Sequence, residues 1–372
     1  MNIGYDAKRI FHNTTGLGNY SRDLVRILAT FYPDNHYFLY NPKPAKVNRL
    51  TITDNMSVRQ PEGFFSRLLP ALWRSKRITN DLKKDKIDIY HGLSAELPSG
   101  IDKVPVKSVV TVHDLIFVHY PQLYKPIDRK IYFKKFLHAV QVADQVVAIS
   151  EQTKRDIIRF ARIPEEKIEV IYQGCHKVFK KQHNNDTVEK VLQKYRLPHN
   201  FLLNVGTLEP RKNALTIVKA IQPTSYRLVL VGRPTAYAQQ IKDFVVQNNM
   251  TDRVYFLQGL SLDELAVLYR QADAFIYPSI YEGFGIPIIE ALYSKTPVIT
   301  NAKGVFPEAA GPYSFYLNDV TDVDEMRQSI KKLMQSDVSD AVEKSYRFVQ
   351  RYNDEKIAEN WINLYRKIIQ NK

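Results

Sequence analysis

Two glutamates flank a glycine turn in the segment Pro278-Ser-Ile-Tyr-Glu282-Gly-Phe-Gly-Ile-Pro287-Ile-Ile-Glu290. The segment follows the short apolar run Ala274–Tyr277, and Pro287 falls where the start of a helix favours proline. Such a turn leaves backbone N–H groups unpaired at a helix N-terminus, which makes a ready anion site. Glu282 precedes the turn and Glu290 lies in the first helical turns, so both carboxylates can face one crevice. A carboxylate accepts two hydrogen bonds and suits a vicinal diol, as in a ribose or a hexose. Helix capping explains one of these glutamates well, but explains poorly a pair that brackets a glycine turn.

A second cluster, Asn204-Val-Gly206-Thr-Leu-Glu209-Pro-Arg211-Lys212-Asn213, leaves the apolar run Phe201–Val205. Adjacent Arg and Lys just past a strand end can hold a diphosphate, Arg through its planar fork and Lys as a point charge. Alone, the run reads as a solvated basic loop; beside the glutamate segment, phosphate binding explains it better. The pair His113-Asp114 ends a third apolar run. A lone histidine at a strand end is more often a hydrogen-bonded structural residue than a catalyst.

Short apolar runs alternating with longer amphipathic stretches must position these residues, the pattern of βαβ units around parallel sheets. Predicted strands in the first half are Ile3–Asp6, Tyr37–Tyr40, Ile87–Tyr90, Ser108–Val112, Gln145–Ala148 and Ile168–Ile171. In the second half they are Phe201–Val205, Arg227–Val231, Val254–Phe256, Ala274–Tyr277, Pro297–Thr300 and Ser314–Tyr316. Amphipathic stretches such as Tyr20–Phe31, Lys130–Ala143 and Asp263–Gln271 separate them. The polar stretch Cys175–Asp186 reads as a hinge between two similar α/β domains, 1–175 and 186–350. In 354–372, Ile357, Trp361, Leu364, Tyr365 and Ile368 share one helical stripe.

The 372 residues, 44% hydrophobic and 25% charged, can bury a sizeable core without disulfides or a structural metal. One cysteine, Cys175, excludes an intramolecular disulfide and a cysteine-rich zinc site. The N-terminal residues carry no signal-peptide pattern, and no apolar run approaches the roughly 20 residues of a spanning helix. The chain is therefore expected in the cytoplasm, with any membrane contact peripheral, on the inner face of the cytoplasmic membrane. Its net charge is +14. Eleven Lys/Arg against four Asp/Glu between Lys43 and Lys86 place half of that excess there. A basic surface suits nucleic acid, an anionic leaflet or an anionic small molecule, and charge alone does not choose. In Gly63-Phe-Phe-Ser-Arg67-Leu-Leu-Pro-Ala-Leu-Trp73-Arg-Ser-Lys-Arg77, rings and Leu alternate with basic residues. That suits a segment resting on anionic headgroups, or equally an amphipathic surface helix whose apolar residues enter the core. Lys125–Lys135 is a weaker second segment of this kind.

Taken together, the chain resembles the retaining GT-B glycosyltransferases of glycosyltransferase family 4. The resemblance is carried by Gly206–Asn213 as G-x-x-x-x-R-K-N, by Glu282-x7-Glu290, and by Pro278-Ser-x-Tyr-Glu-Gly-Phe-Gly285. Thr111-Val-His-Asp-Leu115, Ala148-Ile-Ser-Glu-Gln-Thr153 and Thr15-Gly-Leu-Gly-Asn-Tyr20 add to it, in family order. It implies an α/β, GT-B fold of two facing Rossmann-like domains with parallel sheets and an interdomain cleft. The N-terminal domain would bind the acceptor and the C-terminal domain the nucleotide-sugar donor, with the last helix packing back on the first domain. By position, Arg211 and Lys212 would neutralise the leaving diphosphate, and Glu290 would bind the ribose hydroxyls. Glu282 and the amides of Gly283, Phe284 and Gly285 would hold the transferred sugar. Gly16, Gly18 and Gly206 would give the backbone close approach to the donor, and His113 would orient the sugar.

Gly4-Tyr-Asp-Ala-Lys-Arg-Ile10 and the Thr15–Tyr20 run look like mannosyltransferases of bacterial surface-polysaccharide assembly. GDP-mannose is thus the expected donor, and a glycan or lipid-linked molecule the expected acceptor. No cofactor and no metal are expected. Asp322-Val-Asp324 has metal-binding spacing, but Asp322-x-x-Glu325 opens an amphipathic stretch and reads as a capping box. Gly16-x-Gly18-x-x-Ser21 lacks the third glycine of a dinucleotide site, and the following strand Tyr37–Tyr40 lacks its closing acid. Two rival readings are a nucleotide-sugar epimerase on the same fold and a basic nucleic-acid-binding protein. The Arg211-Lys212 and Glu282-x7-Glu290 combination favours transfer over the first. The second has no motif behind it, so no nucleic-acid partner is expected.

Overall fold

The computed structural model describes residues 1–370, the side chain of Phe65 excepted. It divides into two compact units, Met1–Gln173 with the chain from Asn353 onward, and Gly174–Tyr352. The first unit holds a seven-stranded sheet: β1 (Asn2–Asp6), β2 (His36–Tyr40), β3 (Met56–Arg59), β4 (Ile89–Gly92), β5 (Lys107–Val112), β6 (Gln145–Ala148) and β7 (Ile168–Val170). Every pairing is parallel, in the order β3-β2-β1-β4-β5-β6-β7. The second unit holds β8 (Leu202–Val205), β9 (Leu228–Val231), β10 (Val254–Leu257), β11 (Ala274–Tyr277), β12 (Val298–Asn301) and β13 (Phe315–Leu317). These are again all parallel, in the order β10-β9-β8-β11-β12-β13.

Both sheets therefore reverse their winding once, between β1 and β4 and between β8 and β11. In a doubly wound sheet that reversal opens a crevice at the carboxyl ends of the two strands. The strands read as nearly continuous apolar runs because helices cover both faces. β4, β9 and β11 are buried at every position. Asn204 Nδ2 donates to Ile276 O at 2.8 Å and so clamps β8 to β11 beside the crevice.

In the first unit the helix Asp354–Gln370 packs on the helix Gly16–Phe31. Its apolar stripe of Ile357, Trp361, Leu364, Tyr365 and Ile368 is buried. One histidine fastens this helix to the sheet. His91, fully buried on β4, shares hydrogen bonds with Tyr365 Oη at 2.8 Å and Thr111 Oγ1 at 2.7 Å, and its ring lies 4.7 Å from that of Trp361. Burial, with His113 nearby, depresses its pKa to about 3, so the imidazole is neutral and offers one donor and one acceptor to the two hydroxyls.

Three sequence expectations need correction, and a fourth divides between its two readings. β3 has no counterpart among the predicted strands; it pairs only with β2, at the sheet edge, where half-exposed residues blur the apolar pattern. The stretch Cys175–Asp186 is not a free hinge. It belongs to the second unit, its Val178 and Phe179 are buried, and Phe179 packs edge-on against Tyr269 at 5.6 Å. The 63–77 segment divides between the two readings. Phe64, Leu68 and Leu69 are exposed, whereas Trp73 enters the core and bonds Asp81 through its indole N–H; the side chain of Phe65 lies outside the described residues, as do 371–372. The capping box at Asp322 is half formed: Asp322 accepts from the N–H groups of Asp324 and Glu325, but Glu325 turns to those of Asn318 and Asp319. Among the described residues no helix is long and apolar enough to cross a membrane.

His91 and His113 make folding pH-dependent. Both pKa values are depressed in the folded state, to about 3 and about 4, from an ordinary 6.5. Between those values the unfolded chain binds protons that the native protein does not, so stability is complete above pH ~6.5 and falls as pH drops toward ~4. Equilibrium urea unfolding across this range should show that loss. In His91→Gln the slope should be shallower; an unchanged slope would remove His91 from the account.

Candidate functional site

The loops leaving β8 and β11 meet at the reversal point of the second sheet. After β8 the backbone turns at Gly206 (φ +155°), and a Cβ added at Gly232 would stand 1.8 Å from the carbonyl oxygen of Gly206. Glycine at 232 is thus what lets these two strand ends approach. The short turn Pro210–Lys212 follows, ending at Asn213 in the left-handed region (φ 57°). Asn213 is pinned: its Nδ2 donates to Val320 O at 2.6 Å and its Oδ1 accepts from Thr216 Oγ1 at 2.7 Å. After β11, Ile280 N donates to Arg211 O at 2.9 Å, tying the second loop to the first. Asn301 Nδ2 donates to Ser279 O at 3.2 Å from β12.

This scaffold gathers a compact charge cluster. Arg211 reaches Glu282 at 2.8 Å and Glu209 at 2.7 Å, and also donates to the carbonyl of Tyr281. Lys212 pairs with Glu282 and donates to Tyr277 Oη at 2.6 Å. Glu282 further accepts from Tyr277 Oη at 3.1 Å and Ser279 Oγ at 2.6 Å. All three ionised side chains keep only 12–14% exposure. Burial pushes the Glu282 carboxyl up, but Lys212 and Arg211 outweigh it and hold the group below the ordinary carboxylate value. Burial pulls Arg211 down, and Glu282 with Glu209 more than reverses that, so it stays charged. Two cations face one shared carboxylate, and the second glutamate binds Arg211 alone. The four charges balance, so an anionic ligand binds here by taking over Arg211 and Lys212 from the carboxylates, in a poorly hydrated place where electrostatics act strongly.

The glycine turn lies beside the cluster. Gly285 (φ +108°) starts the helix Ile286–Tyr293, and Phe284 anchors the turn by burying its ring 5.5 Å from that of Tyr352. On that helix Glu290 accepts from the buried Tyr269 Oη at 2.9 Å. Burial, and then the negative charges of Glu282 and Glu290, hold the Tyr277 hydroxyl well above its ordinary pKa. Sequence reasoning passed over Tyr277, Ser279 and Tyr269. Tyr277 and Ser279 stand at the carboxyl end of β11, the position from which a parallel strand delivers side chains to a ligand. Tyr269 sits inside a helix and gave no signal.

Three further candidates lie in the first unit. Gly16 opens the helix Gly16–Phe31 with nothing within 4 Å of an added Cβ, whereas a Cβ at Gly18 would strike Asn13 O at 2.1 Å. The packing of its own loop thus also requires glycine at Gly18. His113 is buried; it bonds Leu93 O through Nε2 at 2.9 Å and meets Tyr20 edge-on at 4.6 Å. Burial lowers its pKa to about 4, so it is neutral at pH 7 and a weak base. It lines a cavity of about 270 Å³ with Arg9, Asp114 and Tyr132, among others.

The sequence profile described as Glycosyltransferase Family 4 matches residues 14–176, and that described as Glycosyl transferases group 1 matches residues 187–358. An O-antigen chain mannosyltransferase, RfbU, of Salmonella typhimurium is 34% identical over 259 residues, 68% of each chain. O-antigen chain mannosyltransferase B of Escherichia coli is 28% identical over 356 residues, 91% of each chain. Among solved structures, a sucrose-phosphate synthase from Thermosynechococcus elongatus superposes over the whole of both chains with a TM-score of 0.80 at 21% identity.

Glu282 is what allows Arg211 and Lys212 to be buried together. Glu282→Gln should therefore destabilise the protein by on the order of 3 kcal/mol, since two buried cations lose their shared counter-charge. Inorganic phosphate at millimolar concentration should restore part of the loss by replacing the carboxylate. Thermal unfolding with and without phosphate checks both; a variant as stable as wild type would mean the cations relax into water.

Proposed function

The chain belongs to glycosyltransferase family 4 and carries the GT-B fold; from that premise we propose that it transfers mannose from GDP-mannose, with retention of anomeric configuration, during surface-polysaccharide synthesis. The acceptor in this reading is a glycan or lipid-linked molecule. The observation that carries the reading is the Arg211–Lys212–Glu282 cluster at the reversal point of the second sheet. The names of two relatives, both O-antigen chain mannosyltransferases, support the choice of sugar and pathway.

In this reading the unit Gly174–Tyr352 takes the donor and the unit built on Met1–Gln173 the acceptor. The donor diphosphate sits against Arg211 and Lys212. Its negative charge grows as the sugar–oxygen bond breaks, so two fixed cations stabilise the transition state more than the ground state. The diphosphate takes up the positive charge that Glu282 balances in the free protein, and Glu282 then turns to the sugar hydroxyls with the amides of Gly283, Phe284 and Gly285. Gly206 gives the backbone room at the phosphates. Glu290, oriented by Tyr269, accepts from the ribose hydroxyls. Gly16 and Gly18 open the first-unit loop to the donor, and His113, neutral and held through Nε2, orients the sugar rather than acting as a base. None of these side chains is assigned as a nucleophile; the leaving phosphate itself assists the incoming hydroxyl on the same face. The protein works in the cytoplasm, without metal, and touches anionic membrane through Phe64, Leu68 and the surrounding basic residues.

Thermal unfolding with GDP, UDP and ADP in EDTA reads the donor base directly. A nucleotide at a hundred times its dissociation constant adds about 2.7 kcal/mol of stability. GDP should give the shift and UDP should not. Glu290→Ala should weaken GDP binding by about 0.5–1.5 kcal/mol for each ribose hydrogen bond lost. Lys212→Ala should slow transfer far more than it weakens binding. Wild-type turnover and affinity in both variants would show that the site lies elsewhere.

A further inference from the structure

Four donors converge on a single carboxylate oxygen in the crevice of the second sheet. Glu282 Oε1 takes Arg211 Nη1 at 2.8 Å, Lys212 Nζ, Tyr277 Oη at 3.1 Å and Ser279 Oγ at 2.6 Å. A carboxylate oxygen offers about two lone pairs, so these donors compete for half as many places. Two of them are cations and two are neutral hydroxyls. While both cations are in place, the hydroxyls are redundant. They cease to be so once an anion takes Arg211 and Lys212 away.

The two carboxylates of the cluster then fare differently. Glu209 keeps 33% exposure, so water can solvate it. Glu282 keeps 12%, and a buried carboxylate stripped of its partners is driven to take up a proton. Glu290, on the helix Ile286–Tyr293, is a like charge and supplies no compensation. Tyr277 and Ser279 are placed to supply it. They stand at the carboxyl end of β11 and just past it, both buried, so neither hydroxyl can exchange its bond for one to bulk water. Burial, and then the charge of Glu282, keep Tyr277 protonated. Lys212 donates to Tyr277 Oη at 2.6 Å and so uses a lone pair there, leaving the phenol proton for Oε1. Ser279 Oγ lies 2.6 Å from Oε1 but 3.5 Å from Arg211 O, so its proton also goes to the carboxylate. With the cations withdrawn, two hydroxyl protons meet the lone pairs of Oε1.

We propose that Tyr277 and Ser279 are positioning residues that anchor Glu282 through Oε1, as an ionised carboxylate, once the donor diphosphate has taken Arg211 and Lys212. The inference rests on the transfer reading above and adds to it the fixed point about which Glu282 turns toward the sugar. Both hydroxyls act through Glu282.

Tyr277→Phe keeps the ring, its stacking on Phe275 at 5.6 Å and its place 4.9 Å from Lys212 Nζ, and removes the hydroxyl. Ser279→Ala removes the other. Inorganic pyrophosphate and GDP are titrated calorimetrically into wild-type protein and each variant from pH 5 to 8, in EDTA and in two buffers of different ionisation enthalpy. In a variant the carboxylate loses a hydrogen bond to its charged form, so its pKa in the complex rises and binding draws in a proton. Proton uptake should therefore exceed that of the wild type at the same pH. The ratio of variant to wild-type Kd should grow as pH rises, to about tenfold for either hydroxyl and further for Tyr277→Phe/Ser279→Ala. In a Glu282→Gln background, which has no carboxyl to titrate, the same substitutions should add no pH trend. A purely structural defect would weaken binding without the extra proton, and that result would overturn the anchor. Wild-type proton uptake with a pH-independent ratio would also overturn it, and would leave the transfer reading standing. The expected trend with pyrophosphate, but no binding of any nucleoside diphosphate, would sink the transfer reading alone. Wild-type protein that binds neither probe would overturn both.

Discussion

A parallel sheet wound in both directions must part its loops at one place, and this chain does so twice, between β1 and β4 and between β8 and β11. Everywhere else along the carboxyl edge, successive crossovers run to the same face and their loops close over the strand ends. At the two reversals they leave to opposite faces, and a ligand can reach main-chain and side-chain groups that are otherwise covered. The positions of Arg211, Lys212 and Glu282 follow from that constraint, because they leave β8 and β11 in the only direction open to them. Asp6, Lys8 and Glu96 stand in the same relation to β1 and β4. Two crevices of one topology have thus been filled with different charge, the second by a tight three-residue cluster and the first by a wide cationic pocket.

Burial decides how each crevice holds that charge. Two cations at 12–14% exposure would repel strongly without a counter-ion. Glu282 supplies it, and Tyr277 and Ser279 fix its position by hydrogen bonds. Glu209 balances part of Arg211, and Glu282 is shared between Arg211 and Lys212. The first crevice uses Arg74 differently. Its planar fork spans Asp6 and Glu96, and Lys135 adds a second cation at Glu96, so Lys8, Lys43, Lys46 and Lys134 are left as the excess positive charge of the pocket.

Most of this fold was legible in the order of apolar runs. Twelve runs predict twelve of the thirteen strands, because strands covered on both faces leave unbroken Val, Ile and Leu segments. β3 escaped because an edge strand has one neighbour and half-exposed residues, so Met56–Arg59 carries no such segment. The polarity of Lys180–Asp186 reads as a hinge, yet Val178 and Phe179 just before it are core residues and Asn184 caps a helix by accepting from Thr187 N. Composition averages over such neighbours and misses them. Within the candidate site, charged residues flanking a glycine turn were conspicuous. Tyr269 was not, since its contact with Glu290 depends on how two helices are placed, and no short motif encodes that.

The same limit governs the basic region. Half of the excess charge lies between Lys43 and Lys86, but its meaning depends on which cations the fold neutralises. Arg59 is spent on Asp85, Lys84 on Glu62, and Arg74 on Asp6 and Glu96. Lys43 and Lys46 remain at the pocket, joined by Lys8 and Lys134 from parts of the chain far away in sequence. A block of charge that looks like a diffuse electrostatic surface therefore divides into a few paired side chains, two lysines that join others at one cavity, and the remaining Arg and Lys outside both. Convergence matters because field strength at a point grows with the number of nearby uncompensated charges and with the exclusion of water. Scattered over an open surface, the same lysines would be screened within about 8–10 Å at physiological salt; gathered around a crevice with apolar walls, they act on one small group.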